Sequence, residues 1–177
     1  TVIIAATGIT VTLINLINAE LFAHDEMGGI CGSCQSTKFN TCSNYGKLMC
    51  IDSYVGGIVG YVKDMTTNTQ IINCLNAGDL KGYELVGGIV GQCNNRDEVS
   101  HCLNVGKVVA VGKGSQSDPI ANVSYSGANG LSKNYYSSNE YDVNAKGRIP
   151  VTVTMLADGT VAGFLNDEAG DKGPWRQ

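Results

Sequence analysis

Val55-Gly56-Gly57-Ile58-Val59-Gly60 can be written over Val86-Gly87-Gly88-Ile89-Val90-Gly91, and Met27-Gly28-Gly29-Ile30-Cys31-Gly32 lies over both. Each block is followed, after a polar stretch, by a second that also recurs: Cys42-Ser43-Asn44-Tyr45-Gly46, Cys74-Leu75-Asn76-Ala77-Gly78 and Cys102-Leu103-Asn104-Val105-Gly106. Cys42 and Cys74 are 32 residues apart, and Cys74 and Cys102 are 28 apart. Fixed-period self-similarity of this length marks an array of stacked units. The unequal spacing places insertions in loops.

The residue types say which array. The runs Val55 to Val62 and Val105 to Val111 are short, rich in Val and bounded by Gly, Asn and Asp, which reads as strand. A helical repeat would carry a Gly-Gly pair in every unit at about 1 kcal/mol per glycine, and 23 of the 177 residues are glycine. The expected fold is therefore all-β: a parallel β-helix (β-solenoid) of about five coils, with equivalent positions stacked roughly 4.8 Å apart. The general preference of parallel crossovers makes it right-handed. The solenoid spans 1–150, with clear repeats over 27–108. Degenerate end units are read from Ile14-Asn15-Leu16-Ile17-Asn18-Ala19, laid over Ile72 to Ala77, and from Lys133-Asn134-Tyr135-Tyr136, laid over Ser100 to Leu103.

On this reading Ile30, Ile58 and Ile89 form one ladder. Cys31, Val59 and Val90 form its neighbour on the opposite side of the strand, and the residue types leave open which of the two faces inward. Cys42, Cys74 and Cys102 make a third. Asn44, Asn76 and Asn104 precede Gly46, Gly78 and Gly106, where an Asn ladder can satisfy a corner's backbone groups and the glycines supply positive φ or close approach. Residues 151–177 read differently: Val161, Phe164 and Leu165 sit at helical spacing, so a short helix over 159–167 is expected to cover the open end of the coil, with Trp175 beside it. An uncovered end would present an edge prone to pairing with other chains.

The Gly-Gly-Ile-Val-Gly block followed by Ile-x-Asn-Cys-x-Asn-x-Gly-x-Leu resembles the GLUG motif repeats, over about residues 14 to 137. The closing segment with Met155, Gly159, Leu165-Asn166 and Trp175 resembles the segment that commonly ends such arrays. GLUG repeats occur in large secreted or surface-attached bacterial proteins, adhesin-like proteins among them, and in non-catalytic regions of IgA-cleaving metallopeptidases. The resemblance implies an extracellular or cell-surface bacterial protein with a β-solenoid, and it carries no catalytic residues to transfer.

The chain is 43% hydrophobic and 16% charged with a net charge of −4. Without a Lys/Arg cluster to neutralise phosphates, nucleic acid is not an expected partner. No apolar run is long enough to span a bilayer, so no membrane insertion is expected. Thr1 is not a natural start, which suggests a mature or excised piece of a longer chain, expected to stand as a monomeric module within it.

Seven cysteines include Cys31-Gly32-Ser33-Cys34, a spacing that metal half-sites and redox pairs use. Yet Cys31 takes the place of Val59 and Val90, while Cys34 and Cys93 take that of Val62, so small core residues are the simpler reading. Mostly unbridged thiols are expected, with no metal and no cofactor. His101 replaces Asn73 and Thr41 at a turn, and His24-Asp25-Glu26 lacks the second His of a zinc peptidase motif.

The enzyme alternative is a carbohydrate-active β-helix using loop carboxylates drawn from Asp25, Glu26, Asp52, Asp64, Asp97, Glu98 and Asp118. None recurs with a basic partner, and the chain is read as no enzyme. Ligand binding instead rests on tyrosine, whose flat ring and hydroxyl suit sugar or protein contacts. From Tyr45, Tyr54, Tyr61, Tyr83, Tyr125, Tyr135, Tyr136 and Tyr141 the candidates are Tyr54, Tyr83 and Tyr61, the first two just upstream of successive Gly-Gly blocks. The inserts at 63–70, 94–98 and 112–119 are expected to leave the coil at comparable points. The sequence thus reads as a non-catalytic module for adhesion to a glycan or a host or matrix protein, or as a rigid spacer. A further alternative is the accessory region of a secreted protease.

Overall fold

In a computed structural model the chain is described over residues 3–7, 10–11, 14–15, 20–63, 68–124, 130–138, 147–166 and 174–175. Its strands stack in parallel into five sheets that wind into a β-solenoid. The first sheet is Ile3–Thr7, Cys31–Gln35, Val59–Val62, Val90–Asn94 and Ala121–Ser124. The second is Thr10–Val11, Lys38–Asn40, Gln70–Ile72, Glu98–Ser100 and Leu131–Ser132. The third holds Ile14–Asn15, Ser43–Asn44, Leu75–Asn76, Leu103–Asn104, Asn134–Ser137 and Arg148–Val151. The fourth is Glu20–Ala23, Lys47–Cys50, Leu80–Gly82 and Val108–Ala110, and the fifth Met27–Gly28, Tyr54–Gly56, Leu85–Gly87 and Gln116–Asp118. Four circuits thus pass through all five sheets. A fifth contributes to the first three only, so the count of five coils needs correcting to about four full turns.

The interior is divided into two cores. Ile30, Ile58, Ile89 and Ile120 stack with Phe39, Ile71, Val99 and the Cys42, Cys74 and Cys102 row in the larger one, each fully buried Ile contributing about 2 kcal/mol. Met27, Leu48, Val55, Leu80, Val86 and Val108 form the smaller one between the fourth and fifth sheets. The Ile58 and Val59 rows both point into the larger core, against the expectation that they take opposite sides. The backbone explains it: the Ile58 carbonyl accepts from both Ile30 N (3.1 Å) and Cys31 N (3.0 Å), and the Ile89 carbonyl from Ile58 N and Val59 N. Ile58 stands in the bend between two sheets, crossed by the same number of residues on neighbouring circuits, so the alternation of side chains along a single strand does not carry across it.

The Gly-Gly blocks mark the bend from fifth to first sheet, and close approach is what they serve. A Cβ on Gly57 would lie 2.5 Å from Asn76 Cγ, one on Gly29 2.6 Å from Asn44 Cγ, and one on Gly88 2.5 Å from Asn104 Nδ2. The two halves of the repeat, far apart in sequence, therefore touch within each circuit. Each Asn is buried. Asn44 Nδ2 donates to Gly46 O (3.0 Å) and Asn76 Oδ1 (2.7 Å), and Asn76 Nδ2 to Gly78 O (2.9 Å) and Asn104 Oδ1 (2.8 Å). Positive φ falls elsewhere, on Thr41 (58°), Asn73 (55°), His101 (54°) and Lys133 (52°), which occupy one corner between the second and third sheets. His101 is thus a corner residue.

That corner also fixes the end units. Leu103 pairs with Tyr135 and Asn104 with Tyr136, so Lys133 stands over His101 and the expected overlay of Lys133 on Ser100 is one residue out. Asn134 then replaces the cysteine of this row, and its Oδ1 accepts from Cys102 N at 3.1 Å. In the first circuit Asn15 pairs with Asn44, three residues from the overlay on Asn73.

Two helices follow, α1 (Val153–Ala157) and α2 (Thr160–Leu165). Thr152 caps α1, its side chain accepting from Met155 N. The helix expected over 159–167 is present as α2, though residue 167 lies outside the described residues. The helices do not cover the end of the coil. Val161 and Leu165 pack with Leu103, Tyr135 and Leu75, the outward row of the third sheet, and Asn166 clasps the Trp175 backbone through two hydrogen bonds. The end is met by Arg148–Val151, where Arg148 reaches inward to Asp118 Oδ1 (2.8 Å) and Ala121 O (2.7 Å).

Candidate functional site

Tyr54 ends the turn into the fifth sheet and Tyr61 lies on the adjoining strand of the first. The glycine bend brings them together with ring centroids 4.6 Å apart and an interplanar angle of 16°. Partial burial, the Tyr61 ring, and the acids Glu84, Glu26 and Asp25 raise the Tyr54 hydroxyl above the ordinary tyrosine range, burial foremost. Glu26 pairs with Lys63 at 2.9 Å, so the tyrosine pair is flanked by charge of both signs. Tyr83 does not share a row with Tyr54, because Tyr54 registers with Leu85, two residues later. It is exposed, and Gly112 donates to its carbonyl. Tyr135 and Tyr136 are buried as structural residues. Tyr125 and Tyr141 lie outside the described residues.

Asp97, Glu98 and Asp118 have structural partners. Asp97 is buried, its Oδ1 accepting from Thr69 N (2.9 Å) and its Oδ2 from Asn94 N (3.0 Å). Glu98 accepts from Gln70 Nε2 and Ser100 Oγ. Asp118 accepts from Ile120 N, Ala121 N and Arg148 Nε. Asp52 lies 3.8 Å from His24, and Asp64 is outside the described residues. Inserts 63–70 and 94–98 both join the first sheet to the second, at the same corner. Insert 112–119 joins the fourth to the fifth instead, which corrects the expectation of a shared exit. Its turn leaves a cavity of about 250 Å³ beside Glu84, Lys113 and Gln116.

All seven cysteines are buried as thiols. Cys31 is aligned with Val59, and Cys34 with Val62, in paired register. Burial pushes the Cys31 thiol up to about 11, and raises Cys34, Cys93 and Cys74 well above the ordinary thiol range. Thiolates are the metal-binding and nucleophilic form, so these groups are chemically quiet. Among the described residues no group of three His, Cys, Asp or Glu converges as metal ligands would, and no helix is long and apolar enough to cross a membrane.

One concave outward surface was missed at the sequence level. On the outer face of the fourth sheet a groove of about 250 Å³ runs along the solenoid axis. One of its rows is Glu20, Lys47, Asp79 and Lys107, and the next is Phe22, Met49, Lys81 and Val109. Phe22 is 68% exposed and Met49 40%. The available signal is alternation in Glu20-Leu21-Phe22-Ala23 and Lys47-Leu48-Met49-Cys50, which assigns Phe22 and Met49 to the solvent side. No family model matches the chain, and neither a curated protein nor a solved structure matches it.

Proposed function

We propose that the chain is a non-catalytic repeat module of a bacterial cell-surface or secreted protein, working outside the cell in adhesion to a glycan or a host or matrix protein, or as a rigid spacer. The observation that carries this reading is the use made of the polar side chains. Asp97, Asp118 and the Asn ladder are each committed to backbone or neighbouring-rung hydrogen bonds, so partner contact falls to the outer surface. The stacked Tyr54 and Tyr61 rings, with Lys63 and Glu26 nearby, supply the flat apolar faces and hydroxyls that sugar or protein recognition uses. The GLUG resemblance supports the extracellular setting.

The test is an array of mucin-type, plant and bacterial glycans with host matrix proteins, probed with the purified chain. A hit that Tyr54→Ala and Tyr61→Ala each weaken about tenfold supports adhesion through this pair. Silence across the array favours the spacer. Release of reducing ends from any glycan, abolished by Glu98→Ala, overturns the non-catalytic reading.

A further inference from the structure

The charged row on the fourth sheet alternates in sign along the solenoid axis: Glu20, Lys47, Asp79, Lys107. All four side chains are exposed, and Leu48, Leu80 and Val108 stand one above another beside them in paired register. Reversed, the row reads Lys, Asp, Lys, Glu. A copy turned by a two-fold axis along the strand direction therefore sets Glu20 against Lys107 and Lys47 against Asp79, each contact occurring twice. The neighbouring row obeys the same operation: Phe22 meets Val109, and Met49 meets the methylene stem of Lys81. The axis passes between the second and third circuits.

Apolar exposure is concentrated on the same flank. Phe22, Met49, Ile51, Tyr83 and Val111 are all exposed, at 68%, 40%, 66%, 47% and 55%, and they lie on the fourth sheet or in the turns that leave it. A contiguous apolar surface bordered by charge marks an interaction site. Closed two-fold pairing is the commonest way for identical chains to use one.

We infer that this face is the contact between two copies of the chain, packed with their solenoid axes antiparallel. The inference goes beyond the adhesion reading and does not rest on it. Pairing through one face of a single module gains strength where many modules are displayed together.

Sedimentation of the purified chain at up to about 1 mM, a range suited to weak complexes, tests it. The unmodified chain gives a concentration-dependent dimer that raised salt weakens. Lys47→Glu sets a glutamate against the partner's acid and Asp79→Lys sets a lysine against the partner's base, so each alone weakens the dimer by about tenfold or more. An equimolar mixture of the two single variants restores pairing, as a heterodimer. That result separates contact between copies from charge pairing along one copy's own ladder, which the mixture leaves broken. Phe22→Ser, at a side chain already exposed, weakens the dimer without lowering the unfolding midpoint. A monomer at every concentration, a dimer that survives both single variants, or a mixture that stays monomeric overturns the inference. So does a monomer that binds a glycan or matrix protein at this face.

Discussion

The inward rows of this solenoid and the outward rows of its fourth sheet obey opposite rules. Inside, each rung returns the same residue, as in Ile30, Ile58, Ile89 and Ile120 or Asn44, Asn76 and Asn104, or one apolar residue for another, as in Cys31, Val59 and Val90. Outside, the rungs read Phe22, Met49, Lys81, Val109, and the charges beside them change sign from one to the next. Stacking identical circuits demands like on like where side chains interlock, and it demands nothing where they meet water. Repetition therefore reports how the coil is held together. Departure from it reports where a surface is left for contact.

If the inward rows carry the stability, the largest effect belongs to the glycine bend. Gly57→Ala places a methyl against the Gly88 carbonyl and the Asn76 side chain. Backbone and a hydrogen-bonded amide cannot yield as a flexible side chain can, so the variant loses about 3 kcal/mol or more by urea unfolding. Gly163→Ala, in α2 with nothing near its Cβ direction, gains about 0.5–1 kcal/mol instead. Equal responses at the two glycines would break the distinction.

The Asn ladder comes next. Asn76→Ala leaves Asn44 Nδ2 and Asn104 Oδ1, both buried, each short of a partner, a loss of about 2–4 kcal/mol. A smaller loss on calorimetry would mean that the ladder merely fills space.

The buried thiols give the same comparison in pH. Cys34, Cys74 and Cys93 have folded-state values well above the ordinary thiol because burial penalises the thiolate. The folded chain then holds protons that the unfolded chain releases above about pH 8.5, so their contribution is intact below that point and falls as pH rises. The slope is about 1.4 kcal/mol per pH unit for each deeply buried thiol. Urea midpoints between pH 7 and pH 10 read it, and a flat profile would show that the thiols reach solvent without unfolding.

What the sequence made legible follows the same division. Asn44, Asn76 and Asn104 located a corner, because that row has one acceptable residue, and three in-phase Gly-Gly-Ile blocks located the repeat but not its bend: Val55 to Val62 reads as one strand, whereas the chain turns at Gly57-Ile58 from the fifth sheet to the first. The inward turn of both Ile58 and Val59 was not legible, since that bend leaves no mark on residue type. Registers slipped where rungs stopped repeating: Asn134 under a cysteine column misled by one residue, and Asn15 by three. Val161 and Leu165 announced a helix but not what it covers, because the outward row Leu75, Leu103 and Tyr135 becomes a docking face only when three circuits are stacked. The fourth-sheet groove stayed hidden for a similar reason. Four-residue strands give too little alternation to stand out, and sign alternation between circuits appears only after they are aligned.

The smallest effect is predicted where a cysteine stands in a valine row. Cys31 registers with Val59, and Cys34 with Val62, so the space at both rungs is bounded by neighbours that already accommodate a β-branched side chain one circuit away. Cys31→Val with Cys34→Val removes the weak donation from Cys31 Sγ to Ser33 O and two thiols whose ionised form the core excludes. It supplies apolar volume in return. The double variant is expected within about 1 kcal/mol of the parent at pH 7, with a shallower loss of stability on raising the pH to 10. Cys74→Val is the contrast. Its row is cysteine at three rungs, it follows the positive-φ residue Asn73, and its Sγ lies 3.2 Å from the Ile72 carbonyl, so a branched Cβ meets a corner shaped around an unbranched one and costs about 1–3 kcal/mol. If the Cys31 and Cys34 pair were instead the costlier change, the C-x-x-C spacing would hold more than packing, and the equivalence of cysteine and valine along that row would fail.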